Sequence, residues 1–495
     1  MSVDQRLAGA GVRGRSGSRR ALIAALLSVV HAAWAAELTA PFADPLGASP
    51  PLLARGAVAP GDNAPLRCPA SHDWSRPLAL ADAVDLALCG NPRIQVAWAG
   101  IKLQAAALGQ ARAAYLPTLN ANVNRLTTRT SYSAPGLGET ESRGDTVYGA
   151  LNWRLFDFGA RDANRQAAGS LLLAAMASHE AELEKTLAAT IQAYFDGLNT
   201  RAAWTAKIEG AAIAQATLDS ARRREARGAA ASGDALQATT ALAKATLDRS
   251  RAQGAYRKAL AVLVYAMGVA PETTVELAAD ESEAGNAGMP APSAAARDDL
   301  RAWLDAALAS HPEILAARAQ SAAAQSKIAS TRAEGLPTVD FSANYYKNGY
   351  PGQGLSSVGS RVATVGVAVS FPLFDGFSHT YKVRQAQAQA EQAQDQLADT
   401  EHSVAMEVTK VYADATASLE NLQASQTLLT AALESLASAQ RKYEKGAADI
   451  LEILNAQAAL ADARQQRVSC LAEWQSARLR LLANTGQLGR TAIGR

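Results

Sequence analysis

The chain has 495 residues, with 48 basic and 46 acidic side chains and a formal net charge of +2. So even a balance gives no electrostatic reason to expect nucleic acid as a partner. Aromatic content is 5% and alanine is heavily used, a composition that favours long helices packed close together.

Residues 1–35 read as a secretory signal. Arg13, Arg15, Arg19 and Arg20 precede the apolar run Ala21–Val30, and Ala33-Trp34-Ala35 supplies the small-x-small cleavage pattern. The run is short for a membrane anchor, and no cysteine follows the cleavage site to carry a lipid. Residues 36–76 are rich in Pro, Ala and Gly and lack periodicity, so a flexible leader is expected. Cys68 and Cys89 flank 20 residues of an exported chain, where a disulfide persists. A bridge is expected, with two unpaired thiols as the alternative. Cys470 falls inside a helical pattern and reads as a small packed side chain.

The first structural repeat is expected over 77–270. Leu78, Ala81, Val84 and Leu88 start a helix, and Pro92 opens a second one to about Ala114. From Pro117 the period changes to two. Leu119, Ala121 and Val123 alternate with three asparagines, then Val147, Gly149, Leu151, Trp153 and Leu155 alternate with Tyr148, Ala150, Asn152 and Arg154. This spacing predicts a hairpin over about 117–156, with strands of about 10–13 residues. Residues 157–226 contain no proline and predict one helix about 105 Å long. A rod of that length must lie along other helices. Gly228 breaks it, and a return helix is expected over 234–268. A polar linker is expected at 271–298.

The second repeat, 299–486, answers the first. Asn91-Pro92 and Leu116-Pro117-Thr118 recur as His311-Pro312 and Leu336-Pro337-Thr338 at an offset of 220. Leu155-Phe156-Asp157 recurs as Leu373-Phe374-Asp375, and Gly228 as Gly446, at an offset of 218. Its hairpin is expected at about 337–374, its rod at 376–445 and its return helix at 449–484, before a tail at 487–495. Landmarks at one near-constant offset mark a tandem duplication.

Four strands with one apolar face have lengths that suit a bilayer. The windows 115–158 and 337–381 hold 14 of the 27 aromatic residues, clustered toward strand ends as in interfacial girdles. A bilayer admits strands only in a closed barrel, and four are too few to close one. The barrel must be shared: two copies give about eight strands, and three about twelve with a lumen. The alternative is an ordinary soluble sheet.

This paired layout resembles the TolC family of outer-membrane channels. The matching motifs are Asn91-Pro92, Leu116-Pro117-Thr118, Leu155-Phe156-Asp157-Phe158-Gly159, Leu373-Phe374-Asp375-Gly376, Tyr443 three before Gly446, and Glu452-Ile453-Leu454-Asn455-Ala456-Gln457. The resemblance implies a mixed, mostly α fold. It also implies a homotrimer with a twelve-stranded outer-membrane barrel in the lipid bilayer above a coiled-coil α-helical periplasmic tunnel. Within the family it points to type I secretion of a protein substrate, with a periplasmic adaptor and an inner-membrane ABC transporter as partners. Drug efflux is the rival reading, and a soluble periplasmic adaptor the remote one.

Enzyme signatures are missing. His72, His179, His311, His379 and His402 lack metal-ligand spacing, and no phosphate-binding loop or nucleophile elbow is present. No cofactor is expected. The resemblance assigns Asp234 and Tyr443 to a periplasmic clamp and Glu452 and Asn455 to a cation-attracting constriction. The family's arginine two residues after the second tip glycine is Ala448 here. Arg227, Gly228, Lys445 and Gly446 would form the adaptor-docking tips. The plain alternatives are solvated helix-start carboxylates at Asp234 and Glu452, and charged tips that serve solubility alone.

Overall fold

A computed structural model describes residues 44–56, 68, 73–131, 133, 138–227, 232–278, 300–348, 359–445, 447 and 450–483. The signal-sequence reading, both tip glycines and the tail lie outside the described residues. Residues up to Ser49 form a separate unit; in it the Ser49 N–H donates to the Asp44 carboxylate at 2.6 Å.

The unit from Pro50 onward contains every element named below. A short helix α1 (Pro51–Arg55) precedes α2 (Leu80–Gly90) and α3 (Pro92–Ala113). Strands β1 (Thr118–Thr130) and β2 (Thr140–Phe156) follow, then the rod α4 (Ala160–Ala226) and the return helix α5 (Ser232–Met267). The second repeat runs α6 (Leu300–Ser310), α7 (Pro312–Ala333), β3 (Thr338–Lys347), β4 (Arg361–Ser370), α8 (Ser378–Glu444) and α9 (Ile450–Ala483). Both rods have 67 residues, about 100 Å each at helical rise.

The duplicated motifs solve the same local problems. Pro92 and Pro312 each occupy the first turn of a helix, where a missing N–H costs nothing. The preceding side chain caps that turn: Asn91 Oδ1 accepts from the Arg93 N–H at 2.9 Å, and His311 Nδ1 from the Glu313 N–H at 3.3 Å. Each hairpin then enters its rod through two consecutive left-handed residues. These are Phe158 (φ 51) and Gly159 (φ 86) in the first repeat, and Gly376 (φ 69) and Phe377 (φ 66) in the second.

The helices pack side by side in one order. α3 and α5 lie on α4; α4 also packs on α7 and α9; and these two pack on α8. Leu183, Leu187, Ile191 and Phe195 of α4 meet Val84 and Leu88 of α2 and Leu479 of α9 in one apolar cluster. On α8, Val404 and Val408 meet Ala307 and Ile314 of the second repeat. Each buried Leu or Ile contributes about 1.5–3 kcal/mol, so these clusters fix the order of the helices. Alanines such as Ala221, Ala238 and Ala463 are buried along the same seams, where a small side chain permits close approach.

The four strands form one antiparallel sheet in the order β1-β2-β3-β4. Directly paired residues share a face. One row therefore reads Leu119, Leu151, Ala343, Val365, and the next apolar row Trp153, Phe341, Val367. The intervening rows read Asn120, Ala150, Asn344, Thr364 and Thr118, Asn152, Ser342, Gly366. The sheet is thus apolar on one side and polar or small on the other.

Three details differ from the sequence expectations. Strand β2 has 17 residues, longer than its alternating core, because Glu141, Arg143 and Asp145 extend the pairing past the apolar stretch. The leader contains the single turn α1, started by Pro51. The start of the linker is not merely polar: Val275 and Leu277 are buried with Tyr194, Leu263 and Met267. The Leu78 N–H donates to Glu276 O at 2.7 Å, and Arg201 Nη1 to Leu277 O at 2.6 Å. Those backbone groups lock the linker onto the first repeat.

Candidate functional site

No helix among the described residues is long and apolar enough to cross a membrane. The sheet carries the exposed apolar surface instead. Leu119, Val123, Val365 and Val367 are all more than 60% exposed. A contiguous apolar face of this kind calls for lipid or a partner. The opposite face carries a stacked pair, Tyr148 and Tyr346, with ring centroids 5.0 Å apart, and an Arg154–Asp340 ion pair at 2.9 Å. Within the chain β1 and β4 are sheet edges, so their outward N–H and C=O groups need partners in any membrane.

The helices have corresponding edges. Exposed Val96, Leu103, Val262 and Tyr265 lie on α3 and α5, at one end of the packing order; exposed Tyr381, Met406, Leu428 and Leu433 lie on α8, at the other. The α3 end leads into β1, and β4 leads into the α8 end. Sheet and helices thus leave the same two margins open.

The junction between sheet and rod is built differently in the two repeats. In the first, Arg161 Nε donates to Asp157 Oδ2 at 2.7 Å, and both side chains are largely buried. The same guanidinium donates to the carbonyls of Ala114, Arg154 and Leu155 and lies 4.9 Å from the Tyr115 ring centre. In the second repeat His379 stands at the position of Arg161, and its backbone N–H donates to Asp375 Oδ2 at 2.6 Å, as the Arg161 backbone N–H does to Asp157 Oδ2 at 3.2 Å.

At the far ends of the rods, α4 and α8 stop at Ala226 and Glu444. Arg222, Arg223, Arg227, Arg441 and Lys445 are exposed there. Tyr443 and Leu454 both pack against Leu218, Ala221 and Ala238, and Tyr443 also packs against Ala439, Ile453 and Ala456. Its ring lies under the Arg224 guanidinium, 4.3 Å from the centre. A contact of this type contributes about 0.5–2 kcal/mol, more as it dries. The Tyr443 hydroxyl is buried and has no hydrogen-bond partner among the described residues. The chain therefore does not pair Tyr443 with Asp234, which is half-buried in the first turn of α5.

Glu452 is not a bare carboxylate. It accepts from Lys442 Nζ at 2.9 Å, with both side chains about half exposed. Asn455 is exposed one turn further on. Sequence reasoning missed Arg224 and Lys442 as contacts of Tyr443 and Glu452. The spacing of Lys442 and Glu452 across the tip glycine was the one available signal, and nothing in the sequence links residue 224 to residue 443. Cys68 and Cys89 are joined, with Cα atoms 5.5 Å apart, while Cys470 is free and buried.

Comparison with known proteins agrees with this architecture. The family model described as outer membrane efflux protein matches residues 83–269 and again residues 303–487, one match per repeat. Protein CyaE of Bordetella pertussis is 35% identical over 446 residues, covering 90% of this chain and 91% of CyaE. The alkaline protease secretion protein AprF of Pseudomonas aeruginosa is 27% identical over 186 residues, 37% of this chain and 38% of AprF. The crystal structure of the outer membrane protein VceC of Vibrio cholerae superposes with a TM-score of 0.70 at 20% identity. It covers 82% of this chain and 96% of VceC, and shares the fold. The twofold family match and the long alignment to CyaE establish that the chain belongs to the outer membrane efflux protein family, as an outer-membrane protein whose strands serve the membrane and whose helices serve the periplasm.

Proposed function

We propose that three copies of this chain close into a conduit that exports a protein substrate through a type I secretion system. The observation that carries the reading is the pair of matching open margins. Joining β4 of one copy to β1 of the next satisfies the sheet edges, and the same step brings the apolar side chains of α8 against those of α3 and α5. Such a contact is head-to-tail, and it is finite only if the ring closes. Three copies supply twelve strands, enough for a lumen, and twelve helical columns beneath. The polar sheet face lines the passage and the apolar face meets lipid.

Conduction needs no chemistry from this chain, so energy comes from an inner-membrane ABC transporter reached through a periplasmic adaptor. The exposed Arg222, Arg223, Arg227, Arg441 and Lys445 favour an adaptor tip that is acidic. Asp234, Tyr443, Glu452 and Asn455 lie by the tips, where the passage would narrow. Because Lys442 faces Glu452, a ring of three such pairs gives weak cation selectivity. Protein export is favoured over drug efflux by the likeness to a protein named for alkaline protease secretion. It is also favoured by the family resemblance of the duplicated motifs, which points to type I secretion.

Detergent-extracted protein should run as a heat-sensitive trimer. Deleting the gene should abolish release of a large secreted protein while drug sensitivity stays near wild type. A monomer in detergent sinks the assembly. Drug hypersensitivity with intact secretion transfers the chain to efflux.

A further inference from the structure

The duplication supplies a template for the face that a second copy of the chain covers. Within one chain α4 packs on α7. Ala163, Ala167, Ala174 and Ala177 of α4 are buried, and so are Pro312, Ala316, Ala323 and Ser330 of α7. The offsets of 218 and 220 carry the first stripe to Tyr381, Gln385, Gln392 and Asp395 of α8. They carry the second to Pro92, Val96, Leu103 and Gln110 of α3. Every one of these counterparts is exposed. The stripe on α8 runs along a shallow groove lined by Ala388, Glu391, Gln392, Asp395, Gln396 and Asp399. A stripe buried in one repeat and bare in the other fits the same kind of cover, and on α8 that cover is α3 of another copy.

We propose that α3 of one copy seats in this acidic groove of the next, with Lys102 held between Glu391 and Asp395. The seam between copies is then keyed by charge, whereas the matching seam inside each copy is not. The proposal rests on the reading of three copies as a ring, and it names the residues that select the contact.

The register follows from the internal seam. Glu184 of α4 and Glu313 of α7 lie close enough to repel each other. The two helices run antiparallel, since α4 leaves the sheet and α7 enters it. An equal count of residues toward the sheet leads from that pair to Ala174 and Ala323, which therefore lie level. Their counterparts Gln392 and Leu103 lie level across the seam between copies. Glu391 stands one residue before Gln392, and Lys102 one residue before Leu103. In an antiparallel pair equal offsets fall on the same side of the contact. Lys102 thus comes level with the stretch between Glu391 and Asp395, on their flank.

The internal seam lacks this arrangement. The positions corresponding to Lys102, Glu391 and Asp395 are Ala322, Leu173 and Ala177. Covalent continuity already brings α4 to α7, so nothing there has to be selected. Separate chains must reject a symmetric pairing of α8 with α8. Like charges in the groove supply that rejection, and the opposite charge on α3 supplies the attraction.

The test uses the full-length protein extracted in detergent, with trimer bands read on gels. Under a mild oxidant Leu103→Cys/Gln392→Cys should give a covalent trimer that survives heating. Ala174→Cys/Ala323→Cys should link within one chain and run as a monomer after heating. Lys102→Glu should lower the trimer-to-monomer ratio about tenfold, three seams being affected at once. Glu391→Lys/Asp395→Lys should do the same, and combining all three substitutions should restore the ratio. If the Leu103→Cys/Gln392→Cys pair stays unlinked in assembled trimers while the internal pair links, the seam lies on another face. The proposal then falls and the ring stands. If both charge-reversed parents assemble like wild type, or their combination does not recover, these charges do not key the seam and the proposal is overturned. If wild type itself is a monomer, the ring reading falls and the seam with it.

Discussion

The two repeats enter their rods by the same backbone path with different side chains. Both turns spend two consecutive residues in the left-handed region, and each uses one glycine and one phenylalanine, but in reversed order: Phe158-Gly159 against Gly376-Phe377. An aromatic side chain in that region is strained. In both turns it is held by an edge-on partner, Phe156 for Phe158 at 4.8 Å and Phe374 for Phe377 at 5.4 Å. Around this shared path the side chains have diverged. The first repeat closes its junction with the buried Asp157–Arg161 pair; the second places His379 there. Backbone geometry survived the duplication where a sheet must become a helix, and electrostatics did not have to.

The comparison is broken most severely at Arg161. Arg161→Ala strands a buried carboxylate and three carbonyls, which costs about 3–5 kcal/mol. The dissociation temperature of the assembly on gels should fall sharply, while His379→Ala shifts it little. Equal shifts would mean that the two junctions are equivalent after all. The bridge is the next asymmetry, because Cys89 corresponds to Ala309 in the second repeat. Non-reducing peptide mapping should recover Cys68 joined to Cys89. Cys89→Ser should destabilise the first repeat by about 3 kcal/mol or less, the loop being short. Recovery of both thiols free would remove this difference between the repeats.

A smaller contrast lies in the rods. The Glu184 carboxyl is pushed up to about 8 by burial first and by Glu180 and Glu313 second; its counterpart His402 is exposed. The folded chain keeps Glu184 protonated where an unfolded chain, with an ordinary value of 4.5, has lost the proton. Stability is therefore unaffected below that ordinary value and is lost progressively as pH rises toward about 8. Glu184→Gln should remove a penalty on the order of 2 kcal/mol at pH 8 and have no effect near pH 4. Thermal melts across that range would show it, with His402→Gln as the control. Gly159→Ala and Gly376→Ala should cost about 1–2 kcal/mol each. Here the sharp expectation is sameness: unequal losses would show that one turn has relaxed from the shared path.

Much of this was readable from spacing. Alternation located all four strands because one face of the sheet is apolar and the other polar or small, and the absence of proline over 157–226 and 376–445 located the rods within three residues. Duplicated Pro92 and Pro312 located the starts of α3 and α7. What could not be read were contacts between segments far apart in the chain. Arg224 meeting Tyr443, or Leu277 entering the first core, leaves no local periodicity, because each depends on how whole helices are stacked. Strand β2 outran its expected length for a related reason: before Thr146 its own alternate residues Glu141, Arg143 and Asp145 are charged, and backbone pairing continues where the apolar pattern has stopped.

The exposed backbone of β1 and β4 also governs inheritance. In the proposed ring each seam joins two different chains, so one protomer with an unpairable margin opens the whole barrel. A proline placed mid-way along β4, at Val367, removes a donor from a single seam. Expressed at equal dose beside the normal gene, it would leave only about one assembly in eight free of the altered copy. A lesion in this gene would therefore act as a dominant poison, and its severity would be set by dosage more than by the stability of the altered chain.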